Sequence, residues 1–160
     1  MLAIEPQKEP DMAYRILLFD DDYESMLPLK SELDERGHQV DLTADAQILA
    51  TLGVIKYDLV SIDFMIHPQS PAQEESGVIN NVHYDDINWQ RTGQEFLRRL
   101  RKGEYESDSD QGTLKNVPAI IISATAKSNE NFGAAAFFEK PFDVEEVLNT
   151  VDKLLQSGMQ

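Results

Sequence analysis

The 160-residue chain has no cysteine, which excludes disulfide-stapled scaffolds, thiolate zinc sites and cysteine nucleophiles. It has one tryptophan, and its longest apolar runs fall far short of the ~18 residues that a transmembrane helix needs. Positive charge is scarce. Only 14 Lys and Arg stand against 29 Asp and Glu, a formal net charge of −15. That balance argues against non-specific binding to nucleic acid or to an anionic membrane surface, so neither nucleic-acid binding nor membrane insertion is expected. The first residues show no basic stretch followed by an apolar segment, so no secretory signal is read and a cytoplasmic location is expected. With 41% hydrophobic and 27% charged residues, the chain is too apolar for a disordered polymer, and its length favours one domain.

The pattern along the chain is one of short apolar runs alternating with amphipathic stretches. Residues 1–13 mix Pro6, Pro10 and charges without period and read as a flexible arm. The run Ile16-Leu17-Leu18-Phe19 is stopped by Asp20, Asp21 and Asp22, as expected of a strand buried on both faces. Met26, Leu27, Leu29 and Leu33 then follow helical spacing, with Asp22 placed to cap the start and Gly37 to end it. A second strand is expected over 39–42, then a helix carrying Ile48, Leu49 and Leu52, capped by Thr43 or Asp45 and ended near Gly53. A third strand is expected over 57–62, stopped by Asp63, and a helix from Gly93 with Phe96, Leu97 and Leu100 on one face. A fourth strand over 117–122 is stopped by Ser123. A fifth over 135–138 runs into Lys140-Pro141, and a last helix from Asp143 carries Val144, Val147, Val151, Leu154 and Leu155. Strands alternating with helices imply right-handed βαβ units. The expected fold is therefore α/β, a doubly wound five-stranded parallel sheet with helices on both faces. Ligand sites of such sheets lie beyond the carboxyl ends of the strands.

The residues at those ends are Asp20, Asp21, Asp63, Ser123 and Lys140. Carboxylates brought that close repel unless a cation intervenes. A hard divalent ion such as Mg²⁺ takes one or two carboxylates and shares phosphate oxygens. Asp63 is then a candidate nucleophile towards phosphorus. Lys140 is placed to neutralise charge on the transferred group, and the Ser123 hydroxyl to bind one of its oxygens.

At this point the chain resembles the receiver domains of two-component response regulators. The matching stretches are Ile16-Leu17-Leu18-Phe19-Asp20-Asp21-Asp22, Tyr57 through Met65, Gly93 through Arg101, Val117 through Ala124, and Phe137-Phe138-Glu139-Lys140-Pro141-Phe142-Asp143. They occur in the family's order across nearly the whole span from Arg15 to Leu155. The resemblance implies a flavodoxin-like receiver fold over residues 14–156, with 157–160 as a tail. It implies that Asp63 is the phosphoacceptor and that Asp20, Asp21 and Asp63 hold Mg²⁺ together with the Met65 backbone carbonyl. Ser123 matches the switch hydroxyl, Phe137 the switch aromatic and Lys140 the family's lysine. A cis peptide is expected between Lys140 and Pro141, although only ~5–6% of X–Pro bonds are cis. The implied partners are a histidine kinase or phosphotransfer protein and a downstream protein target. The chain would be a signalling protein that catalyses only its own phosphotransfer and dephosphorylation. With no effector domain expected after the last helix, output would be by protein contact.

Three departures from the family pattern stand out. The family's proline comes four residues after the phosphoacceptor, whereas here Ile66-His67-Pro68 brings it one residue late, and Gly93 follows only after an insertion at about 69–92. With Val78, Ile79, Val82, Tyr84, Ile87 and Trp89, that segment is too apolar for a plain linker. It reads either as a lid or docking flap, or as an ornament packed on the third helix. Its His83, Asp85 and Asp86, with His67 before it, match no metal-ligand spacing. Next, the stretch between Ser123 and Gly133 lacks an apolar stripe, so the family's fourth helix is expected to shrink to a turn or a short 3₁₀ segment. Finally, Phe137 has no hydroxyl and reads equally as a core aromatic. The acidic segment 103–116 is expected to be a solvated loop.

Two alternatives accompany this reading. One is a degenerate receiver acting as a phosphorylation-independent binding module. The other is a haloacid-dehalogenase-like phosphatase, for which Asp20-x-Asp22 has the right spacing but no late acidic pair at a strand end is found.

Overall fold

The structure, a computed structural model, describes residues 13–69, 80–107, 111–125 and 133–157. Five strands form one parallel sheet in the order β2-β1-β3-β4-β5: β1 Arg15–Phe19, β2 Gln39–Thr43, β3 Leu59–Ile62, β4 Ala119–Ser123 and β5 Ala136–Glu139. This is the doubly wound topology that the alternating pattern implies.

The apolar runs are continuous because both faces of the sheet are covered. Ile16 and Leu18 of β1, Leu59 of β3, and Ile120 and Ile122 of β4 face one side. There they meet Met26, Leu29 and Leu33 of α1 (Tyr23–Glu35) and Val147, Leu148, Val151 and Leu155 of the C-terminal helix α4 (Val144–Ser157). The alternate residues Leu17, Phe19, Val60, Ile62 and Ile121 face the other side, against Phe96, Leu97 and Leu100 of α3 (Thr92–Arg101). Asp22 caps α1 by accepting from the Ser25 N–H at 3.3 Å. Gly37 ends it in the left-handed region at φ 92°, where the His38 N–H returns to the Leu33 carbonyl.

The second helix is shorter than its apolar pattern implies. Only Ile48–Thr51 is helical, one turn designated α2, with Leu52 buried just beyond it. Neither expected group caps α2: the N-cap is Gln47, without a side-chain bond, and Thr43 and Asp45 instead hold the turn that leads into the helix. Thr43 Oγ1 accepts the Asp45 N–H at 3.0 Å, and Asp45 Oδ1 accepts the Gln47 N–H at 2.9 Å. The rest of this layer is built from two loops. In the first, residues 80–91, which end in a 3₁₀ turn over Trp89–Arg91, begin beside the link that follows β2. Val82 N–H bonds the Ala44 carbonyl, Ala46 N–H bonds the Asn80 carbonyl, and Asn81 forms an antiparallel bridge with Asp45. Val82 and Tyr84 are buried in the α3-side core, and Arg99 of α3 stacks over the Tyr84 ring at 4.3 Å. The packed-ornament reading therefore describes residues 80–91, which rest on the link between β2 and α2 as well as on α3. Residues 70–79 lie outside the described residues.

The second loop corrects an expectation. Segment 103–116 is not simply solvated: Tyr105 stacks on Phe96, and Thr113 is fully buried. The Thr113 hydroxyl donates to the Ile55 carbonyl at 2.6 Å and accepts the Tyr57 N–H at 3.0 Å. Gly112 permits this closeness, since a Cβ there would lie 2.8 Å from the Gly53 carbonyl oxygen. The same contacts explain why β3 starts at Leu59 rather than at Tyr57, whose N–H is committed to Thr113 instead of to a strand.

Among the described residues no helix separates β4 from β5. The expectation of a reduced fourth helix falls largely on residues 126–132, and that of a flexible arm on 1–12. Both stretches, like 158–160, lie outside the described residues. The Lys140–Pro141 bond is cis, as expected.

Candidate phosphoacceptor and metal site

Strand register brings the carboxylates together. Phe19 pairs with Ile62, and the Asp63 N–H bonds the Phe19 carbonyl at 3.0 Å, so Asp20 and Asp63 leave adjacent strands at the same level. Ser123 pairs with Glu139, and the Lys140 N–H bonds the Ser123 carbonyl, which brings Lys140 to the same edge. Asp20, Asp21 and Asp63 present oxygens that all lie within 4.8 Å of one another. This is the group of potential cation ligands found among the described residues.

Each carboxylate is held. Lys140 Nζ donates to Asp20 Oδ2 at 2.8 Å and to Asp63 Oδ2 at 2.9 Å. Asp20 Oδ1 accepts the Asp22 N–H at 2.8 Å, and Asp63 Oδ1 accepts the Met65 N–H at 2.9 Å. Asp21 Oδ2 accepts the His67 N–H at 2.8 Å. Asp20 and Asp63 are buried and Asp21 is partly exposed. Burial, reinforced by the Asp63 charge and opposed by Lys140, pushes the Asp20 carboxyl up to about 7. Burial also raises Asp21, against the pull of the His67 N–H. For Lys140, burial favours the neutral amine, but Asp20 and Asp63 outweigh it and hold the ammonium above its ordinary range.

This donor set fits Mg²⁺. All three side chains are hard oxygen ligands, the class that ion prefers. When they are ionised, three carboxylates face one ammonium, leaving an excess of two negative charges that a divalent cation neutralises.

The other expected residues sit around this cluster. Ser123 is fully buried at the end of β4, its hydroxyl 3.3 Å from Thr125 Oγ1. Phe137 is partly buried and packs on the α3-side core. Asp22 turns away from the cluster to cap α1, so the spacing Asp20-x-Asp22 does not place two carboxylates in the site as the phosphatase alternative requires. His83 and Asp85 approach to 3.5 Å without a third ligand among the described residues, and the His67 ring lies against Trp89, its Nδ1 2.9 Å from the Gln69 carbonyl oxygen. Sequence reasoning missed the part played by the His67 backbone. Its signal was present, because shifting the proline to position 68 leaves an N–H at position 67.

The chain has the fold of CheY-like response-regulator receiver domains. It is similar to a Francisella response-regulator receiver domain at 21% identity and TM-score 0.63, covering 90% of this chain and 98% of that one. A CheY-like receiver domain protein from Methanospirillum hungatei JF-1 is 20% identical, with TM-score 0.62, 92% of this chain covered and 97% of that one. The receiver domain of a sensor histidine kinase from Pseudomonas aeruginosa PAO1, which has magnesium coordinated in its active-site cleft, is 19% identical with TM-score 0.60, covering 90% and 98%. No family model and no curated protein matches the chain. No helix among the described residues is long and apolar enough to cross a membrane.

Proposed function

We propose that this chain is a phosphoacceptor signalling protein that takes a phosphoryl group onto Asp63 from a histidine kinase or phosphotransfer protein, in a reaction that requires Mg²⁺. The observation that carries this reading is the convergence of three carboxylates within 4.8 Å, with the Lys140 ammonium bonded to two of them, at the carboxyl edge of a receiver-type sheet. Asp20, Asp21 and Asp63 would hold the ion, with the Met65 carbonyl as a further ligand. When bound, Mg²⁺ supplies charge neutralisation for the incoming phosphoryl oxygens.

The chain's own residues do the rest. An Asp63 carboxylate oxygen attacks phosphorus, the bond from phosphorus to the donor imidazole nitrogen breaks, and the imidazole leaves with the electron pair. Lys140, already 2.9 Å from Asp63, stabilises the negative charge that gathers on the phosphoryl oxygens. Ser123 lies one strand away at the same edge and would donate its hydroxyl to a phosphoryl oxygen, with Phe137 repacking beside it. The output would be a changed surface read by a downstream protein. Beryllofluoride, which mimics an acyl-bound phosphoryl group, tests this reading. It should bind the wild-type protein in Mg²⁺ and shift the amide signals of residues 63–67, 123 and 140. Asp63→Asn should show no shift. Equal binding by both proteins would refute Asp63 as acceptor.

A further inference from the structure

The residue that orients Asp21 is itself held from the middle of the inserted segment. The Asn81 side chain donates from Nδ2 to the His67 carbonyl oxygen at 2.8 Å, and the Asn81 N–H bonds the Pro68 carbonyl at 3.1 Å. Two successive peptide carbonyls after the site loop are thus fixed by one residue. Asn81 is only 4% exposed, so its amide does not exchange these bonds freely for water. It is in turn anchored on the link between β2 and α2 by the antiparallel bridge to Asp45, flanked by the bonds from Ala46 to Asn80 and from Val82 to Ala44, each 2.8 Å. At the other end of this path the His67 N–H meets Asp21 Oδ2 at 2.8 Å.

We propose that Asn81 is a positioning residue for the divalent-cation site: by clamping the His67–Pro68 backbone it aims the His67 N–H at Asp21 and fixes one carboxylate oxygen of the ligand set. This rests on the cation-binding reading given above and gives part of the insertion a role in it. The shift of proline from position 67 to 68 is what makes the arrangement possible, since proline has no N–H to donate. Carboxylates that ligate metals depend on such outer partners, whose loss typically weakens binding by roughly 10- to 100-fold.

The test is calorimetric titration of Mg²⁺ into the full chain and three variants, with thermal unfolding measured without metal. Asn81→Ala should bind Mg²⁺ about 10-fold more weakly. Asn81→Asp, which puts an acceptor beside the His67 carbonyl, should bind at least as weakly. Thr113→Val, a buried change in the other loop and outside the site, should bind Mg²⁺ as the wild type does. A merely structural Asn81 would lower the unfolding temperature while leaving Mg²⁺ affinity at the wild-type value, and that result would overturn the proposal. Should the Asn81 variants not fold, nuclear magnetic resonance of the wild type decides. Added Mg²⁺ should move both the His67 backbone amide and the Asn81 side-chain amide signals, and an unmoved Asn81 amide would overturn the proposal. If the wild type itself binds no Mg²⁺, the cation-binding reading fails and takes this inference with it. Wild-type affinity in both Asn81 variants defeats the positioning role alone.

Discussion

Gly93 sits directly on the backbone of Asp63: a Cβ at position 93 would lie 2.0 Å from the Asp63 carbonyl oxygen and 2.7 Å from its carbonyl carbon. The Gly93 N–H also bonds the Phe64 carbonyl at 2.9 Å, so the start of α3 and the loop carrying Asp63 form one unit. The atoms in conflict are backbone and have no rotamer to yield. Gly93→Ala should therefore destabilise the fold by roughly 3 kcal/mol, the upper part of the usual overpacking range, and displace Asp63. Chemical denaturation together with the beryllofluoride titration checks both effects. A variant with wild-type stability and binding would show that the contact is not tight in solution.

The pH dependence follows from Asp20. Its carboxyl is pushed up to about 7, from 3.8, by burial first and the Asp63 charge second. Between those two values the metal-free native state holds a proton that the unfolded chain has lost, so this group's contribution to stability falls as pH rises from about 4 to about 7. Mg²⁺ competes with the same proton. Apparent Mg²⁺ affinity should rise steadily from pH 6 to pH 8, values bracketing that midpoint of about 7, and level off above it. Calorimetric titrations at several pH values, with proton release measured by buffer exchange, test this. Affinity that is flat with pH would mean that Asp20 is fully ionised before the metal arrives.

Tyr84 and Tyr105 share a hydroxyl–hydroxyl bond of 2.5 Å that joins the inserted segment to the loop after α3. Burial raises both phenols, so both stay protonated across the working range. Replacing either by Phe removes one partner and leaves the other hydroxyl unsatisfied, at a cost of about 1–2 kcal/mol, whereas the double substitution should cost less than the sum. A denaturation double-mutant cycle measures the coupling. Additive effects would show that the two hydroxyls do not depend on each other.

Thr113 gives a test of the second loop that is independent of the site. Thr113→Val keeps the shape but removes a hydroxyl that both donates to Ile55 and accepts from Tyr57. The loss should be roughly 2 kcal/mol, because the buried Tyr57 N–H is left unpaired. Mg²⁺ affinity should be unchanged. A stability change near zero by denaturation would restore the solvated-loop reading of segment 103–116.

What was legible in the sequence follows from how local each signal is. The run from Ile16 to Phe19 specifies a doubly buried strand by itself, and an aspartate after such a run specifies which sheet edge it joins. Asp20, Asp63 and Lys140 could therefore be grouped before any distance was known, and the structure brings them within hydrogen-bond reach. Asp22 and Gly37 act within one helical turn and were readable for the same reason. The roles of Thr113 and Asn81 were not readable, because their partners lie far away in the chain: Thr113 acts on Ile55 and Tyr57, and Asn81 on His67. Neither residue belongs to a periodic pattern, and acidic neighbours made the loop around Thr113 look solvated. The shortness of α2 escaped for a related reason. Leu52 has the right spacing for the helix but is buried beyond its end, in a layer that residues 80–91 and the loop residues Tyr105, Gly112 and Thr113 complete.

The most direct test of the central claim is chemical mapping of the acyl phosphate. The full chain would be incubated with acetyl phosphate and Mg²⁺, reduced with borohydride to convert any aspartyl phosphate into homoserine, digested, and read by mass spectrometry. The account predicts modification at Asp63 that disappears in Asp63→Asn and when Mg²⁺ is chelated. Modification at another residue, or none in the Mg²⁺-loaded wild type, would contradict it.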